Sequence, residues 1–166
     1  ASAESYGVEL SFDARVTPQY MLSGQVGYNK ATFTDYPNAL IDGGEIDVSG
    51  EDLPNAPRWT ASAQAQYYLP ITAVYDGYVR AEYKFRDEVL SDDYAYRYNY
   101  YPFISPSYHT FNLRLGVESE AVRTEVYVEN LFDEEYFPNV YQKAFYSGVQ
   151  VEPSVRRWGV RASYKF

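Results

Sequence analysis

The side chains of this 166-residue chain that could do chemistry are few. A catalytic role for the single histidine, His109, would need a nucleophile and an orienting acid beside it, and no such set stands out. The carboxylates of Asp133, Glu134 and Glu135 could form an acid–base pair, but their place at the end of an apolar stretch favours a turn that faces water. We therefore expect no catalytic residues and no enzymatic activity.

Metal chemistry is equally limited by composition. With no Cys and one His, the chain can form neither a disulfide nor a thiolate or multi-His metal site. Segment 42–47 offers several oxygens to Ca²⁺, but its spacing differs from that of the EF-hand loop. A solvated acidic loop is the favoured interpretation, and we expect no metal and no cofactor.

The most suggestive stretch lies between residues 92 and 108, where tyrosines are interleaved with polar residues. A tyrosine presents a flat apolar ring and a hydroxyl, which suits contact with sugar faces or aromatic chelators. The alternative is a strand that extends beyond a membrane and places alternate tyrosines at its interface. The candidate ligand-contact residues are Tyr94, Tyr96, Arg97, Tyr98, Tyr100 and Tyr101.

The elements that would position these residues are strands. At the end of the chain, Trp158, Val160, Ala162, Tyr164 and Phe166 alternate with Gly159, Arg161, Ser163 and Lys165. A period of two predicts a strand with one apolar and one wet face. Six earlier segments repeat the pattern, at about 4–15, 20–33, 58–69, 79–86, 111–117 and 122–129.

The connections between the predicted strands alternate between short and long. An up-and-down antiparallel sheet then has all its tight turns at one end and all its long loops at the other, as bacterial transmembrane barrels do. The net charge of −9 is concentrated in the long connections, which argues against nucleic acid as a partner. The short connections are 16–19, 70–76 and 118–121; the long ones are 34–56, 87–107 and 131–153.

Alternation alone does not decide which face is inside, since a soluble ligand-binding barrel also alternates, with its apolar face inward. Three pairs of aromatic residues on the apolar face help, because each pair is eight residues apart. At a tilt of about 40°, eight residues span about 20 Å of membrane thickness, close to the apolar band of an outer-membrane barrel. The predicted membrane-interface residues are Tyr20, Tyr28, Trp59, Tyr67, Trp158 and Phe166. The charged face would then line a wet lumen, where its arginines and Lys84, paired with Glu82, Glu125 and Glu129, would most simply form a structural ion network.

The fold that we predict is all-β, an antiparallel up-and-down transmembrane β-barrel segment of about seven strands. Long loops lie at one end and tight turns at the other. No apolar run is long enough for a membrane helix.

Four stretches resemble TonB-dependent outer-membrane receptors. NLFDEEYF at 130–137 is similar to the motif of their penultimate strand, and RRWGVRASYKF at 156–166 resembles their final strand. ESYGVELSFDARVTP at 4–18 and NAPRWTASAQAQYYLP at 55–70 are similar to strands in the last third of the same barrels. The resemblance implies a barrel of 22 strands with an amino-terminal plug. Such a receptor takes up iron chelates, cobalamin or oligosaccharides with energy passed on by TonB.

We therefore interpret residues 1–166 as the carboxy-terminal part of a receptor barrel, with the plug absent. Its expected partners are outer-membrane lipid, the remaining strands and plug, and a small nutrient ligand. An odd number of strands leaves both sheet edges open, which is untenable in lipid without a partner. The alternative is a released fragment whose copies pair through these edges into an oligomer or filament, located outside the cell. A soluble ligand-binding barrel is the third interpretation.

Overall fold

A computed structural model of the chain describes residues 1–41, 44–90, 104–137, 139–143, 148–152 and 154–166, which form strands and their connections. The strands are β1 (Ser2–Arg15), β2 (Tyr20–Asp35), β3 (Ala39–Ile41), β4 (Gly44–Ile46), β5 (Trp59–Pro70), β6 (Asp76–Arg86), β7 (Val89–Leu90), β8 (Ile104–Ser105), β9 (Tyr108–Glu118), β10 (Val122–Glu129), β11 (Asn139–Lys143), β12 (Gly148–Glu152) and β13 (Arg157–Tyr164). No helix of a length and apolarity that would cross a membrane occurs in these residues.

Seven of the strands form one antiparallel sheet in the order β1-β2-β5-β6-β9-β10-β13. Each of these seven strands pairs with the next of the seven along the chain. The predicted seven-stranded, up-and-down arrangement is confirmed. The remaining strands form three short hairpins in the long connections, β3–β4, β7–β8 and β11–β12. The sheet is not closed. Strands β1 and β13 are its edges.

The tight turns at one end share a local design. The Thr17 hydroxyl accepts a hydrogen bond from the backbone N–H of Tyr20, and the Thr72 hydroxyl accepts one from that of Tyr75, each at 3.0 Å. The Ser119 hydroxyl accepts the N–H of Val122 at 3.1 Å. A side-chain oxygen that holds the backbone amides two or three residues later fixes a short turn, and short turns fix strand register.

The two faces of the sheet have an inverted burial pattern. On the polar face, Tyr78 and Glu125 are buried and the Arg114 side chain is 13% exposed. On the apolar face of the same interior strands, Leu115 is 45% exposed and Val126 is 48% exposed. A soluble barrel would bury its apolar face and expose its charges. The soluble interpretation therefore has no support in this sheet.

Hydrogen-bonding at the long-loop end gives structure to the predicted acidic loop. The N–H of Leu53 bonds to the carbonyl of Ala31, and the N–H of Phe33 bonds to that of Glu51, so the loop runs back along β2. Hydrogen bonds from Ser49 hold the pKa of the exposed Asp47 carboxyl below its ordinary value. The side chains of Glu45, Asp47 and Glu51 are exposed, as expected of a solvated acidic loop. Asp42 and Gly43, which carried the calcium alternative, lie outside the described residues.

A small hydrophobic cluster lies at this same end. Its buried members are Ala39 and Val48, and they pack against the partly buried side chains of Phe33, Tyr36, Ile46 and Leu90. It is the one cluster of buried apolar side chains in the described part of the chain. The main sheet has nothing comparable between its strands, since one face carries polar contacts and the other is open.

Candidate functional site

The polar face of the sheet is the candidate functional surface, and Glu125 lies at its centre. This carboxylate is 4% exposed and accepts hydrogen bonds from four side chains. The Tyr78 hydroxyl donates at 2.5 Å, Arg114 at 3.1 Å, Arg161 at 3.3 Å and Arg123 at 3.5 Å. These residues come from β6, β9, β10 and β13, so one carboxylate connects the last four strands of the sheet.

Arg114 on β9 extends the network to both neighbouring strands. Its guanidinium lies 3.4 Å from Glu82 on β6, and 3.1 Å and 3.4 Å from Glu125 and Glu129 on β10. The guanidinium also lies over the ring of Tyr127, 5.4 Å from its centroid. A charge that is largely shielded from water has to be paired and hydrogen-bonded, and Arg114 meets both conditions.

Two glycines provide space for aromatic rings within the network. A Cβ atom at Gly116 would lie 2.6 Å from the hydroxyl oxygen of Tyr78, and one at Gly159 would lie 2.7 Å from that of Tyr127. Each ring therefore lies directly over the backbone of a neighbouring strand. The sequence pattern placed these glycines on the polar face but gave no indication of their ring partners.

The polar face over β1, β2, β5 and β6 has a different character. Here a recess of about 450 Å³ is lined mainly by short or neutral hydrogen-bonding side chains, Ser11, Ser23, Gln25, Ser62 and Gln64. Asp13, Glu82, Lys84 and Arg114 add two charges of each sign, and no ion pair is found for Lys84 within the described residues. Because serines leave space that arginines fill elsewhere, this part of the surface can hold water or a hydrophilic ligand.

The predicted interface aromatics all lie on the apolar face. Trp59, Tyr67, Trp158 and Phe166 are exposed, while the rings of Tyr28 and Trp59 pack across β2 and β5 with centroids 4.8 Å apart. Their place relative to a membrane stays a prediction. The ligand-contact candidates Tyr94, Tyr96, Arg97, Tyr98, Tyr100 and Tyr101 lie outside the described residues, so their role stays a prediction too.

The turn predicted within NLFDEEYF is confirmed, since β10 ends at Glu129. Asn130 is buried with a φ of 55°, its amide donates to the Glu134 carbonyl, and its side-chain oxygen accepts the Glu134 N–H. The Asp133 carboxylate accepts the backbone N–H of Arg156 at 3.1 Å, across the long connection. This carboxylate therefore holds the base of a loop rather than forming an acid–base pair. Sequence reasoning missed the bracing role of Asn130.

His109 lies on the apolar side of β9 beside aromatic rings. Its ring centroid is 6.5 Å from that of Tyr83 and 6.2 Å from that of Phe111. Neither neighbour could orient it as a base. Within the described residues, no group of three or more Asp, Glu or His side chains could hold a metal ion.

Comparison with known proteins gives a consistent result. The family model for the TonB dependent receptor-like β-barrel matches residues 1–131. The ferric yersiniabactin uptake receptor FyuA from Yersinia pestis is similar to this chain with a TM-score of 0.76 and 22% identity, over 99% of this chain and 24% of that receptor.

The ferric-catecholate import receptor Fiu from E. coli K12, in its closed form, gives a TM-score of 0.72 and 22% identity, over 99% of this chain and 21% of that receptor. The chain thus spans about a quarter of these receptors or less. No curated protein matches it.

Proposed function

The chain belongs to the TonB-dependent receptor β-barrel family, and from that premise we propose that residues 1–166 are the carboxy-terminal part of the barrel wall of an outer-membrane uptake receptor. The observation that carries the proposal is the inverted sheet, with Leu115 and Val126 exposed while Arg114 and Glu125, on the same two strands, are shielded. An apolar outer face suits hydrocarbon, and a satisfied polar face suits a wet lumen.

The register of the sheet supports a tilted barrel wall with aromatic residues at its interfaces. Following the paired residues from β13 to β5, Trp158 is level with Ala65, whereas Trp59 lies six residues nearer the long-loop end. Six residues are about 20 Å of strand and four strand spacings about 19 Å, so a line through both tryptophans slants by about 45° to the hydrogen bonds. Transmembrane barrel strands tilt by about this angle, which would bring both tryptophans to one membrane surface.

We propose that the nutrient is an iron chelate rather than cobalamin or an oligosaccharide. The support is that FyuA is a ferric yersiniabactin uptake receptor and Fiu a ferric-catecholate import receptor. In this chain we expect the contacts to come from the tyrosine-rich stretch that contains Arg97, and from the serine- and glutamine-lined recess. Coupling to TonB and gating by a plug would belong to the rest of the receptor.

The lipid-facing assignment predicts the effect of a charge on the apolar face. Ala63→Arg places a cation in the middle of β5 on the exposed face, and should destabilise the membrane-inserted chain by about 2–4 kcal/mol. The matched control is Gln64→Arg, one residue away on the polar face and paired across the strands with Glu82. Insertion into lipid vesicles, measured by protection from protease, should fall for the first variant only. Equal insertion of both variants would contradict the assignment of the faces.

The ligand class predicts selective quenching of tyrosine fluorescence. Titration of the chain in detergent micelles with a ferric catecholate should quench its fluorescence and saturate. Cobalamin should give only the inner-filter effect that it has on free tyrosine, and a neutral oligosaccharide should give no change. Replacement of Tyr98 and Tyr100 by Ser should weaken the ferric-catecholate response, because aromatic contact area is lost. A saturable response to the oligosaccharide alone would exclude an iron chelate.

A further inference from the structure

We propose that the open β13 edge is specific for an antiparallel strand that carries two carboxylates on its polar face, opposite Arg157 and Arg161. The proposal deepens the proposed function and rests on it, since it specifies a neighbour of this part of the barrel wall. The partner strand would come from the remainder of the barrel.

The arrangement of ion pairs across the sheet carries the inference. Arg114, in the interior of the sheet, contacts carboxylates on the strand to either side of it. Arg157 lies 3.5 Å from Glu129, and Arg161 lies 3.3 Å from Glu125, both on the β10 side. On the other side of β13 there is only the open edge. The side chains are accordingly 70% and 62% exposed.

The carboxylates of β10 are already shared, so they do not neutralise the edge. Glu129 also contacts Arg114, and Glu125 also contacts Arg114 and Arg123. The edge strand therefore presents excess positive charge beside β9 and β10, whose polar-face charges are paired. A neighbouring strand with carboxylates would complete the pattern, and like charges directly opposite would be destabilising.

The remaining features of the edge specify the pattern of the partner. Arg157 and Arg161 are four residues apart on one face, so the two carboxylates must also be four residues apart. Trp158 and Val160 are exposed on the other face, so the partner must alternate its carboxylates with apolar residues. The partner strand is thus defined by charge, spacing and alternation together.

A second copy of the chain is the competing partner, because β1 carries Glu9 and Asp13 on its polar face with the same spacing. Strands β1 and β13 run in the same direction, so a copy that kept both faces and both ends aligned would pair in parallel. All pairings of the described sheet are antiparallel. The similar receptors are at least four times longer than this chain, so an additional strand is available from the same receptor.

The test uses the full 166-residue chain in detergent micelles and three labelled nine-residue peptides. The peptides alternate apolar and polar residues and differ only at two polar-face positions four residues apart, which are Glu, Gln or Lys. Fluorescence anisotropy should give tightest binding for the Glu peptide, about tenfold tighter than for Gln, and weakest for Lys. The difference should shrink at high salt. Equal affinity for the three peptides would overturn the proposal.

Substitutions at the β13 edge test whether Arg157 and Arg161 cause the preference for the Glu peptide. The double variant Arg157→Gln with Arg161→Gln should bind the Glu and Gln peptides equally, whereas Arg157→Lys with Arg161→Lys should keep the preference and so control for misfolding. Arg58→Gln, in the long-loop segment before β5, should change nothing. A preference that persists without both edge arginines would overturn the proposal.

A further variant tests the competing partner. Self-association that competes with the peptide and disappears in Glu9→Gln with Asp13→Gln would assign the edge to a second copy, against the proposal. None of these outcomes alters the expected Ala63→Arg insertion result. The proposed barrel-wall function and the proposed edge partner can therefore be contradicted independently of each other.

Discussion

At the scale of the residue, the shielded polar face depends on a few side chains with several partners each. Glu125 and Arg114 contact one another and each contacts at least two further side chains. The sequence predicted that the arginines and glutamates of alternate positions form an ion network, and this is confirmed. The sequence did not predict that Tyr78 would be a buried member of this network, because a tyrosine on a polar face is equally consistent with an exposed position. Ring-over-glycine contacts depend on strand register, which alternation does not provide.

Removal of the Glu125 charge should have a large effect for a single substitution. Glu125→Gln leaves three guanidinium groups around a neutral amide, and should lower the free energy of unfolding by about 3 kcal/mol. The matched control is Glu118→Gln, since Glu118 lies 3.7 Å from Arg123 with both side chains more exposed, and should cost less than about 1 kcal/mol. Urea unfolding in micelles would measure both. Similar small losses for the two variants would mean that the network does not stabilise the sheet.

At the scale of the element, the strands were predictable and the loops were not. Alternation of apolar and polar residues predicts where a strand forms and which of its residues share a face. All seven main strands were found where the pattern repeats. The extension of β2 to Asp35 was only partly predicted, because it is stabilised by hydrogen bonds from the returning loop at residues 50–53. The brace at Asn130 is equally non-local in origin, since its backbone N–H bonds to the side chain of Asn112 on β9. Such contacts are invisible until neighbouring strands are aligned.

The Asn130 brace can be separated into its two components by substitution. Asn130→Ala removes both side-chain hydrogen bonds and places an alanine in the left-handed region, so it should cost about 2–3 kcal/mol of unfolding free energy. Asn130→Gly removes the same bonds without backbone strain and should cost about 1 kcal/mol less. Thermal unfolding of the two variants beside the wild type would measure the difference. Equal losses would show that the positive φ is not maintained in solution.

At the scale of the whole molecule, the main sheet is open, with β1 and β13 as its edges, rather than closed into a barrel. The sequence predicted the outward-facing apolar surface, and the exposure of Trp158 and Val160 agrees with it. It also predicted an odd strand number and two open edges, which the sheet has. Alternation carries no information about which strand would lie beyond each edge. That information depends on charge pairs that cross strands, and these become apparent only when the register is known.

The slanted line of tryptophans predicts their depth in a bilayer. In vesicles with brominated lipids, single-tryptophan variants Trp158→Phe and Trp59→Phe should each be quenched more strongly by bromines near the headgroups than by bromines near the chain ends. The reason is that the remaining indole would lie at the interface, where tryptophan is enriched in barrels. Stronger quenching by the deep label for either variant would contradict the interface assignment of that residue.

The hydrophobic cluster of Ala39 and Val48 at the long-loop end has a consequence for the folding pathway. Hydrophobic collapse in water would gather the apolar stripes of the strands into a compact globule, the reverse of their arrangement in the sheet. The cluster differs from these stripes, because its apolar side chains are buried against one another and so need no bilayer. The order of events is therefore imposed by the solvent. Under the proposed barrel-wall function, strand assembly has to proceed together with membrane entry, because the apolar stripes would otherwise collapse on one another in water.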